Sequence, residues 1–516
     1  MFRKAFNSVR RWLYRMGWIK GIKNLENHKE IMISEEMYAY IDMWRSLYRG
    51  YLEQDKDGVF WHKHVYKTLD GVKERRLDTL NMPKISAGEM ASLVYNEKCE
   101  ISIGDNDNET AKFIEDVLKE NKFNKKFQDY LEYSFAIGGM VIKPYVENEQ
   151  IKLSFVTADC FVPISWSNET ITEAVFVNEI QKGNKKYTHL EWHEWKNGKD
   201  KNGKPIKEYV ITNELYESNN SAELGVKVPL STLPQYANID EKVPVKNLTR
   251  PLFAYFKPNT ANNIDTQSPL GISIFANAMD TLKAIDVAFD SFNREFRLGK
   301  KRIIVPAHMI KTVVDPETGN AYRYFDSNDE TYEAFNSAEM DNEKIQEMNI
   351  TLRVDEHVNA INALLNLYAM QTGFSTGTFT FDGQSMKTAT EVISEQSKTF
   401  KSKKSHEIII ESALQELIHT IIELADLYGI HSATKDYEIK VSFDDSIVED
   451  EQAEINKQVQ LVNAELQSKK RAIMKIFGIN EDEALKVIEE INKEIRGSQP
   501  DLQELERESV LFGARE

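Results

Sequence analysis

A chain of 516 residues, 41% of them hydrophobic, can bury a large core and predicts a globular protein of about two to four structural units. The 82 acidic residues outnumber the 65 basic ones, and the net charge of −17 excludes a protein that coats nucleic acid with its whole surface, although it allows local basic patches. The cysteines, Cys99 and Cys160, exclude a disulfide scaffold and a multi-cysteine zinc site and indicate a reducing, cytoplasmic compartment.

The N-terminal segment, residues 1–24, is rich in arginine and lysine and contains no acidic residue. Its apolar residues recur at helical spacing, but no long apolar core or cleavage site follows, which excludes a signal peptide. The favoured interpretation is a helix that packs on the body of the protein, and the alternative is a basic amphipathic helix that binds a surface. The longest uncharged stretch, residues 358–381, carries too many amide and hydroxyl side chains to span a membrane.

Apolar periodicity predicts several short elements before residue 137. The acidic cluster 105–109 superficially matches a calcium loop, but Thr110 and Asp116 stand where that loop needs glycine and glutamate. Capping of the next helix is the better interpretation. The predicted elements are helices at Ser34–Gln54, Ser86–Asn96, Phe113–Leu118 and Phe127–Ala136, and a strand at Glu100–Ile103.

Short alternating runs between Gly139 and Glu217 predict an antiparallel sheet. His189, Glu191 and His193 share one face of a predicted strand and can in principle hold a metal. Polar residues at a period of two more often mark the solvated side of a strand, so no metal site is predicted. The predicted strands are Ile151–Thr157, Ala174–Ile180, Tyr187–Trp195 and Tyr209–Leu215.

The segment Gly198–Lys204 nearly matches a phosphate-binding loop. Pro205 stands where serine or threonine would bind magnesium, and strands flank the segment instead of a helix. It therefore predicts the tip of a hairpin. No other nucleotide motif is present, and the sequence predicts no cofactor and no catalytic residue.

A strongly patterned helix is predicted at Gly271–Leu298, with apolar residues every three or four positions. Asp286 and Asp290 fall outside this stripe, so the helix is expected to pack on one side only. A small β-rich insert follows, with a strand at Ile303–Val305, hairpin strands at Met309–Val314 and Ala321–Phe325 around the turn Asp315–Gly319, and an extended return at Lys344–Arg353.

A second helix is predicted at Asp355–Thr372. Its apolar face is accompanied by an amide stripe of Asn359, Asn362 and Asn366. Amides in a row suit contacts between helices of a ring or a wet lumen, and plain surface polarity explains them equally well.

The loop Phe374–Met386 then leads into a helix predicted at Thr388–Tyr428, which would extend about 60 Å and end at Gly429. Its second half carries an apolar stripe that needs a partner surface. Its first half is lysine-rich and is expected to border water, another subunit or a polyanion; the lysines are Lys398, Lys401, Lys403 and Lys404.

The C-terminal part begins with a strand predicted at Tyr437–Phe443. Asp444 and Asp445 precede a helical run and are interpreted as its cap, not as a catalytic pair. Helices are predicted at Val448–Leu466, Lys470–Phe477 and Asp482–Ile495, before a charged tail after Pro500 that is expected to be disordered.

Several motifs, in this order, resemble portal proteins of tailed bacteriophages that infect Gram-positive bacteria. They are Asp78–Lys84, Ser92–Glu100, Gly138-Gly139 before Val141–Tyr145, and above all Lys387-Thr-Ala-Thr-Glu-Val392 followed by Ser394–Thr399. The resemblance covers nearly the whole chain, including the succession of helix, insert, helix, loop and long helix.

The resemblance implies an α+β portal fold assembled as a dodecameric ring. The implied regions are an N-terminal segment and β-rich wing (1–268), a first stem helix (269–299), a small α/β clip (300–353), a second stem helix (354–373), a tunnel loop (374–387), a long helix (388–429), a wing return strand (430–447), and a helical crown with the tail (448–516).

The resemblance also implies a channel at one capsid vertex for packaging and ejection of double-stranded DNA. Implied partners are the terminase large subunit, which hydrolyses ATP, a head-tail adaptor, and the major capsid and scaffolding proteins, with no membrane. The implied locations are the virion and, during assembly, the host cytoplasm. The DNA-facing residues would be Thr376, Gly377, Thr378, Thr380, Asp382, Gly383, Gln384 and Lys387, with basic stem and clip residues Lys300, Lys301 and Arg302.

Two other classes of protein remain open from the sequence. One is a cytoplasmic metal-dependent enzyme with its metal at His189, Glu191 and His193. The other is a monomeric scaffold built around a helical rod.

Overall fold

The chain forms two compact units, residues 1–383 with 401–442 and residues 384–400 with 443–516. Helices and strands are mixed as in an α+β protein, as predicted. None of the described helices is long and apolar enough to cross a bilayer. The computed structural model describes residues 35–50, 61–68, 71–104, 108–168, 170–199, 205–219, 224–299, 302–304, 311–314, 319, 321–324, 346–348, 351–381, 397–433, 437–444, 451–477, 479 and 481–498.

Most helices in the described ranges lie where apolar periodicity places them. The second helix starts at Met82 instead of Ser86, because Asn81 has a left-handed backbone (φ 52°) and Pro83 fits the first helical turn. The helices are α1 (Glu35–Tyr48), α2 (Met82–Val94), α3 (Asn108–Glu120), α4 (Phe123–Ile137), α5 (Met279–Leu298), α6 (Val354–Thr372), α7 (Ser397–Leu427), α8 (Glu451–Asn463), α9 (Lys469–Phe477) and α10 (Glu481–Ser498).

The single sheet predicted between residues 139 and 217 is wrong, because its strands divide between two sheets. Alternation along a strand reveals its faces but not its neighbours, and a 3₁₀ turn at Ala158–Cys160 separates the two sets. The strands are β4 (Met140–Glu147), β5 (Gln150–Thr157), β6 (Phe161–Ser167), β7 (Thr170–Lys182), β8 (Lys185–Lys199), β9 (Pro205–Ser218), β10 (Val226–Val228), β11 (Lys242–Val245) and β12 (Ala254–Phe256). One sheet has the order β12-β4-β5, and the other has the order β10-β9-β8-β7-β6, with β11 beside β9.

The remaining described strands form antiparallel pairs. The predicted strand near the C-terminal end of the long helix is present and returns to pair with the strand at residues 100–103. The hairpin and the extended return of the insert are also present. The pairs are β1 (Lys63–Thr68) with β2 (Gly71–Arg76), β3 (Glu100–Ile103) with β17 (Ile439–Ser442), β13 (Arg302–Ile304) with β16 (Gln346–Met348), and β14 (Lys311–Val314) with β15 (Ala321–Tyr324).

The predicted start of the first stem helix at Gly271 is wrong, because residues 271–275 pack against the end of α4 before α5 begins. A Cβ at Gly138 would lie 2.5 Å from the Gly271 carbonyl oxygen, so this approach requires glycine. The Ile274 N–H donates to the Phe135 carbonyl (3.0 Å), which uses a backbone donor that a helix would need. The apolar residues Ile272 and Phe275 are buried in this non-helical segment.

Helix α7 confirms the predicted apolar stripe of the long helix and its end. Leu414, Leu417, Ile418 and Ile421 are fully buried. The Gly429 backbone is left-handed (φ 67°); its N–H donates to Asp426 and the next N–H donates to Ala425, as in a Schellman motif.

The first half of α7 departs from the prediction that it borders water, another subunit or polyanion. Lys398 and Lys401 are exposed, but Lys403 is only 1% exposed and its Nζ lies 2.7 Å from Glu407 Oε1. His406 is also buried and accepts a hydrogen bond from the Asn259 N–H at 3.0 Å. A buried ion pair inside the same unit therefore accounts for part of the polar pattern.

The unit that contains residues 443–516 has three described helices, α8, α9 and α10, where helices were predicted. Helix α8 ends at Asn463, a left-handed Glu465 (φ 59°) lies two residues beyond it, and the next residue, Leu466, is 76% exposed. Phe477 and Ile491 are further exposed apolar residues of this unit.

Several predictions lie outside the described residues. They are the N-terminal helix 1–24, the cluster 105–107, the hairpin tip 200–204, the turn residues 315–318, the long-helix start 388–396, the cap residue Asp445, the stretch 446–450 and the tail after Pro500.

Candidate functional site: the helix pair and its loop

A bidentate ion pair joins the C-terminal end of α5 to the N-terminal end of α6. Arg353 donates through Nε to Glu295 Oε1 (3.0 Å) and through Nη2 to Oε2 (2.9 Å). These hydrogen bonds lower the pKa of Glu295 to about 2. Arg353 is largely exposed, so the pair fixes geometry more than it adds stability.

The prediction that α5 packs on one side only is wrong, because Asp286 and Asp290 are buried as well. Asp286 Oδ2 lies 2.7 Å from both Trp61 Nε1 and His62 Nε2. Asp290 receives a bidentate pair from Arg75, with both N–O distances at 2.6 Å. Trp61, His62 and Arg75 thus cover a face of α5 that its residue types alone mark as solvated.

The protonation of Asp290 follows from these contacts. Burial by itself raises the pKa of this carboxyl, but the hydrogen bonds from Arg75 and from the Asp78 N–H outweigh it and bring the pKa below its ordinary value. Asp290 is therefore a buried carboxylate held in its charged form by a guanidinium.

Helix α6 is anchored to α2 near its C-terminal end. The buried Tyr368 hydroxyl lies 2.6 Å from Ser86 Oγ and donates to the Met82 carbonyl at 3.3 Å. Burial raises the pKa of Tyr368, so this phenol stays protonated. The fixed end of α6 is the support for the loop that follows it.

The described part of that loop, residues 374–381, folds back against α6. Gly373 ends the helix with a left-handed backbone (φ 88°), and the Phe374 N–H donates to the Ala369 carbonyl at 2.8 Å. Phe374 is fully buried, and the Phe379 ring packs 4.9 Å from it and 6.1 Å from Tyr368.

Asparagine side chains of α6 hold the loop backbone. Asn366 Oδ1 accepts from the Gly377 N–H at 2.7 Å, and Asn362 Oδ1 accepts from the Phe381 N–H at 3.0 Å. Neither interpretation of the amide stripe, ring contacts or plain surface polarity, anticipates this use. Asn359, the third member, is exposed.

The structure brings part of the predicted tunnel loop together at one exposed tip. Thr376, Gly377 and Thr378 are exposed and Thr380 is half-buried. The Thr378 hydroxyl donates to the Ser375 carbonyl (2.7 Å), and the Thr380 hydroxyl donates to the Gly377 carbonyl (3.3 Å). The hydroxyls thus stabilise the turn itself.

Of the other predicted site residues, the structure describes Arg302 alone. Arg302 lies in β13 opposite Met348 of β16, within the insert. Outside the described residues lie Asp382, Gly383, Gln384, Lys387, Lys300 and Lys301.

The histidine strand does not form a metal site. His189 and His193 are buried, so the prediction of a solvated face is wrong: Tyr236 stacks on His189 at 4.3 Å and covers that face. His193 contacts Tyr209 through Nδ1 (2.9 Å) and Glu191 through Nε2 (2.8 Å), so protein atoms engage both ring nitrogens.

The charges of this cluster agree with a structural role. Burial lowers the pKa of both histidines. Burial would raise the pKa of Glu191, but the Lys143 charge and the His193 hydrogen bond bring it below its ordinary value. In the described ranges, no group of His, Cys, Asp and Glu side chains is arranged to hold a metal ion.

Comparisons with known proteins give one family. The family described as "Phage portal protein, SPP1 Gp6-like" matches residues 27–501. No curated protein matches the chain. Among solved structures, the chain is similar to "Neck of empty GTA particle computed with C6 symmetry", with 10% identity and a TM-score of 0.40, over 77% of this chain and 89% of that chain. Because the family match spans most of the chain, this protein belongs to the SPP1 Gp6-like family of phage portal proteins.

Proposed function

We propose that copies of this chain form a dodecameric ring at one capsid vertex, through which double-stranded DNA is packaged and later ejected. The observation that carries the proposal is the portal family match over residues 27–501. Phage portal proteins are structural proteins, so the family gives the enzyme alternative no support.

The regions keep the roles that the resemblance gave them. Residues 1–268 with 430–447 form the wing, α5 and α6 the stem, residues 300–353 the clip, residues 374–387 the tunnel loop, and residues 448–516 the crown and tail. The ion pair between Glu295 and Arg353 supports the stem assignment, because it fixes both helices where the clip leaves them.

The loop tip is suited to brief contact with DNA. A channel that retains many phosphate contacts binds DNA tightly and slows its movement. Thr376, Gly377 and Thr378 present neutral, exposed groups, and the amides of α6 hold them in place. Contacts between this tip and DNA are therefore weak and slow the movement of the duplex little.

The clip is proposed to dock the terminase large subunit during packaging and the head-tail adaptor afterwards. The major capsid and scaffolding proteins are the partners proposed at the vertex. The protein would thus act in the host cytoplasm during assembly and in the virion after it. The described clip strands form two short pairs, each too small for an independent core, and these pairs are expected to depend on the neighbouring subunit.

The first test is assembly of the purified full-length chain. Negative-stain microscopy and mass photometry are expected to show closed rings with a central hole. A monodisperse monomer of 59.6 kDa at high concentration would contradict the proposal.

The second test is docking. Deletion of Ile310–Phe325 is expected to abolish terminase docking and DNA packaging while rings still form through the stem and wing. As a matched control, Lys227→Gln changes an exposed wing residue and is expected to leave packaging unchanged. If the deletion variant still packages DNA, the proposal that residues 300–353 are the clip is wrong.

A further inference from the structure

A groove of about 890 Å³ lies beside strand β3, far in sequence from the stem and the tunnel loop. Its other wall is helix α3 and the first residues after it. The floor is apolar and is formed by Ile101, Ile103, Ile114, Leu118 and Phe123.

The groove borders the strand on the side away from its partner. β3 pairs with β17, and the groove lining includes every residue of β3 and none of β17. In the part of the chain that the structure describes, no second strand pairs with β3. An edge of this kind is a ready template for another extended segment.

The register shows which backbone groups face that edge. The Gly104 N–H donates to the Glu438 carbonyl at 2.7 Å, so Gly104 and Glu438 form a hydrogen-bonded pair. Hydrogen-bonded and non-hydrogen-bonded pairs alternate in an antiparallel ladder. The N–H and C=O groups of Ile101 and Ile103 therefore point away from β17.

The rim of the groove is basic although the whole chain has a net charge of −17. Exposed lysines at 112, 119, 122 and 125 line it, against the carboxylates of Glu100 and Glu115. Lys112 and Lys119 are seven positions apart and so share one face of α3. A segment lying in the groove would pass along this row of ammonium groups.

We propose that this groove binds an extended acidic segment of another protein, which adds as a strand to the free edge of β3. Main-chain hydrogen bonds would come from Ile101 and Ile103, and the lysines would recognise carboxylates at every second position of the incoming strand. The basic N-terminal segment 1–24 has the wrong charge to occupy this site. The free N–H and C=O groups of β3 can pair with the backbone of a peptide, whereas duplex DNA has no regular row of backbone donors and acceptors to pair with them.

The probe is a fluorescein-labelled peptide of alternating glutamate and valine, titrated into the purified full-length chain and followed by fluorescence anisotropy. A peptide of the same composition in two blocks and a short duplex DNA are tested beside it. The alternating peptide is expected to bind most tightly, and more weakly as salt is raised.

The side-chain part of the proposal is tested by charge reversal. Lys112→Glu with Lys119→Glu is expected to weaken binding of the alternating peptide by about tenfold. The control, Lys182→Glu with Lys283→Glu, reverses exposed lysines away from the groove and is expected to leave affinity unchanged. Equal affinities for both double variants would overturn the proposal.

The backbone part is tested at the strand edge. Ile101→Pro removes an outward N–H without removing a bond to β17, and is expected to abolish binding while the melting curve stays cooperative. A second measurement does not depend on folding of that variant: N-methylation of the peptide at alternate residues is expected to block binding in one register and spare it in the other. Binding that tolerates both methylation patterns, or that the duplex DNA matches, would refute strand addition.

Discussion

The Oδ1 of Asn366 accepts a hydrogen bond from the Gly377 N–H at 2.7 Å, which joins the middle of α6 to the tip of the loop that follows it. Asn362 repeats the contact one helical turn earlier, at Phe381. Because Tyr368 of the same helix is hydrogen-bonded to Ser86 and Met82, direct contacts link the loop, α6 and α2. The position of the tip is thus set by the helix that precedes it.

Removing the Asn366 amide is expected to release the loop tip without unfolding the protein. Asn366→Ala leaves the Gly377 N–H without its side-chain acceptor, a loss of about 1 kcal/mol. Hydrogen exchange at Gly377 should become faster, while rings should still form. Asn359→Ala, which removes an exposed amide from the same helix, serves as the control. Unchanged protection at Gly377 in Asn366→Ala would show that this contact does not hold the tip.

Gly377→Pro is expected to impair DNA passage more than ring formation. Gly377 has a φ of +87°, whereas proline is restricted to a φ near −65° and has no N–H to donate to Asn366. The measurement is paired: rings are counted by electron microscopy, and DNA per capsid is measured on gels. Gly183→Pro, at the turn between β7 and β8, tests whether a left-handed glycine far from the tip has the same effect. If Gly377→Pro packages DNA as the wild type does, the loop has no role in DNA passage. If the variant does not form rings, the loop is needed for assembly.

The helices and the C-terminal strand were predictable from the sequence because they depend on local periodicity. The stripe of Leu414, Leu417 and Ile421 has the spacing of a buried helix face, and Gly429 stands where a left-handed cap is needed. These signals depend only on residues that are close together in the sequence. The family resemblance was based on other motifs, above all Lys387–Val392, and the family match confirms it.

The side-chain contacts of the site were not predictable, because they join residues far apart in the chain. Asp286 and Asp290 are polar by type, and they are buried because His62 and Arg75, which are distant in sequence, pack against them. The same limit applies to His189, which Tyr236 covers. The regular spacing of Asn362 and Asn366 was visible in the sequence, but the loop amides that they bind were not.

His406 is expected to make the protein less stable at mildly acidic pH. Burial lowers its pKa from the ordinary value of 6.5 to about 4. The unfolded chain therefore binds more protons between these values, and the free energy of unfolding should fall by about 3 kcal/mol as pH drops from 6.5 to 4. Chemical denaturation across this range measures the effect.

The matched variant for this prediction is His406→Asn, which keeps an acceptor for the Asn259 N–H but does not titrate. Its stability should vary less with pH than that of the wild type. An identical slope in the His406 variant would assign the acid sensitivity to other groups.

The pair of Asp290 and Arg75 is expected to couple strand β2 to α5. Arg75→Ala leaves a buried carboxylate without its main donor and should cost about 1–3 kcal/mol of unfolding free energy. Asp290 has a lowered pKa, so its contribution is present above about pH 4 and is lost as pH falls through its folded pKa. Asp290→Asn should remove that acid-dependent part. Arg353→Ala, in the exposed pair with Glu295, is expected to have a smaller effect, and the reverse order would contradict the coupling.

Adding positive charge to the tunnel loop is expected to slow DNA and to make its passage depend on salt. In the proposed ring, Asp382→Lys would place an ammonium group of each subunit beside the passing duplex. Each phosphate contact adds salt-sensitive affinity, and the effect should be strongest at low ionic strength, where screening is weakest. Packaging rates of capsids with this variant should therefore fall most in low salt and recover as salt is raised. Asp382→Asn removes the carboxylate without adding a cation, so it separates loss of repulsion from gain of attraction and should show a weaker dependence. Equal salt dependence in wild type and Asp382→Lys would mean that this position does not approach the DNA.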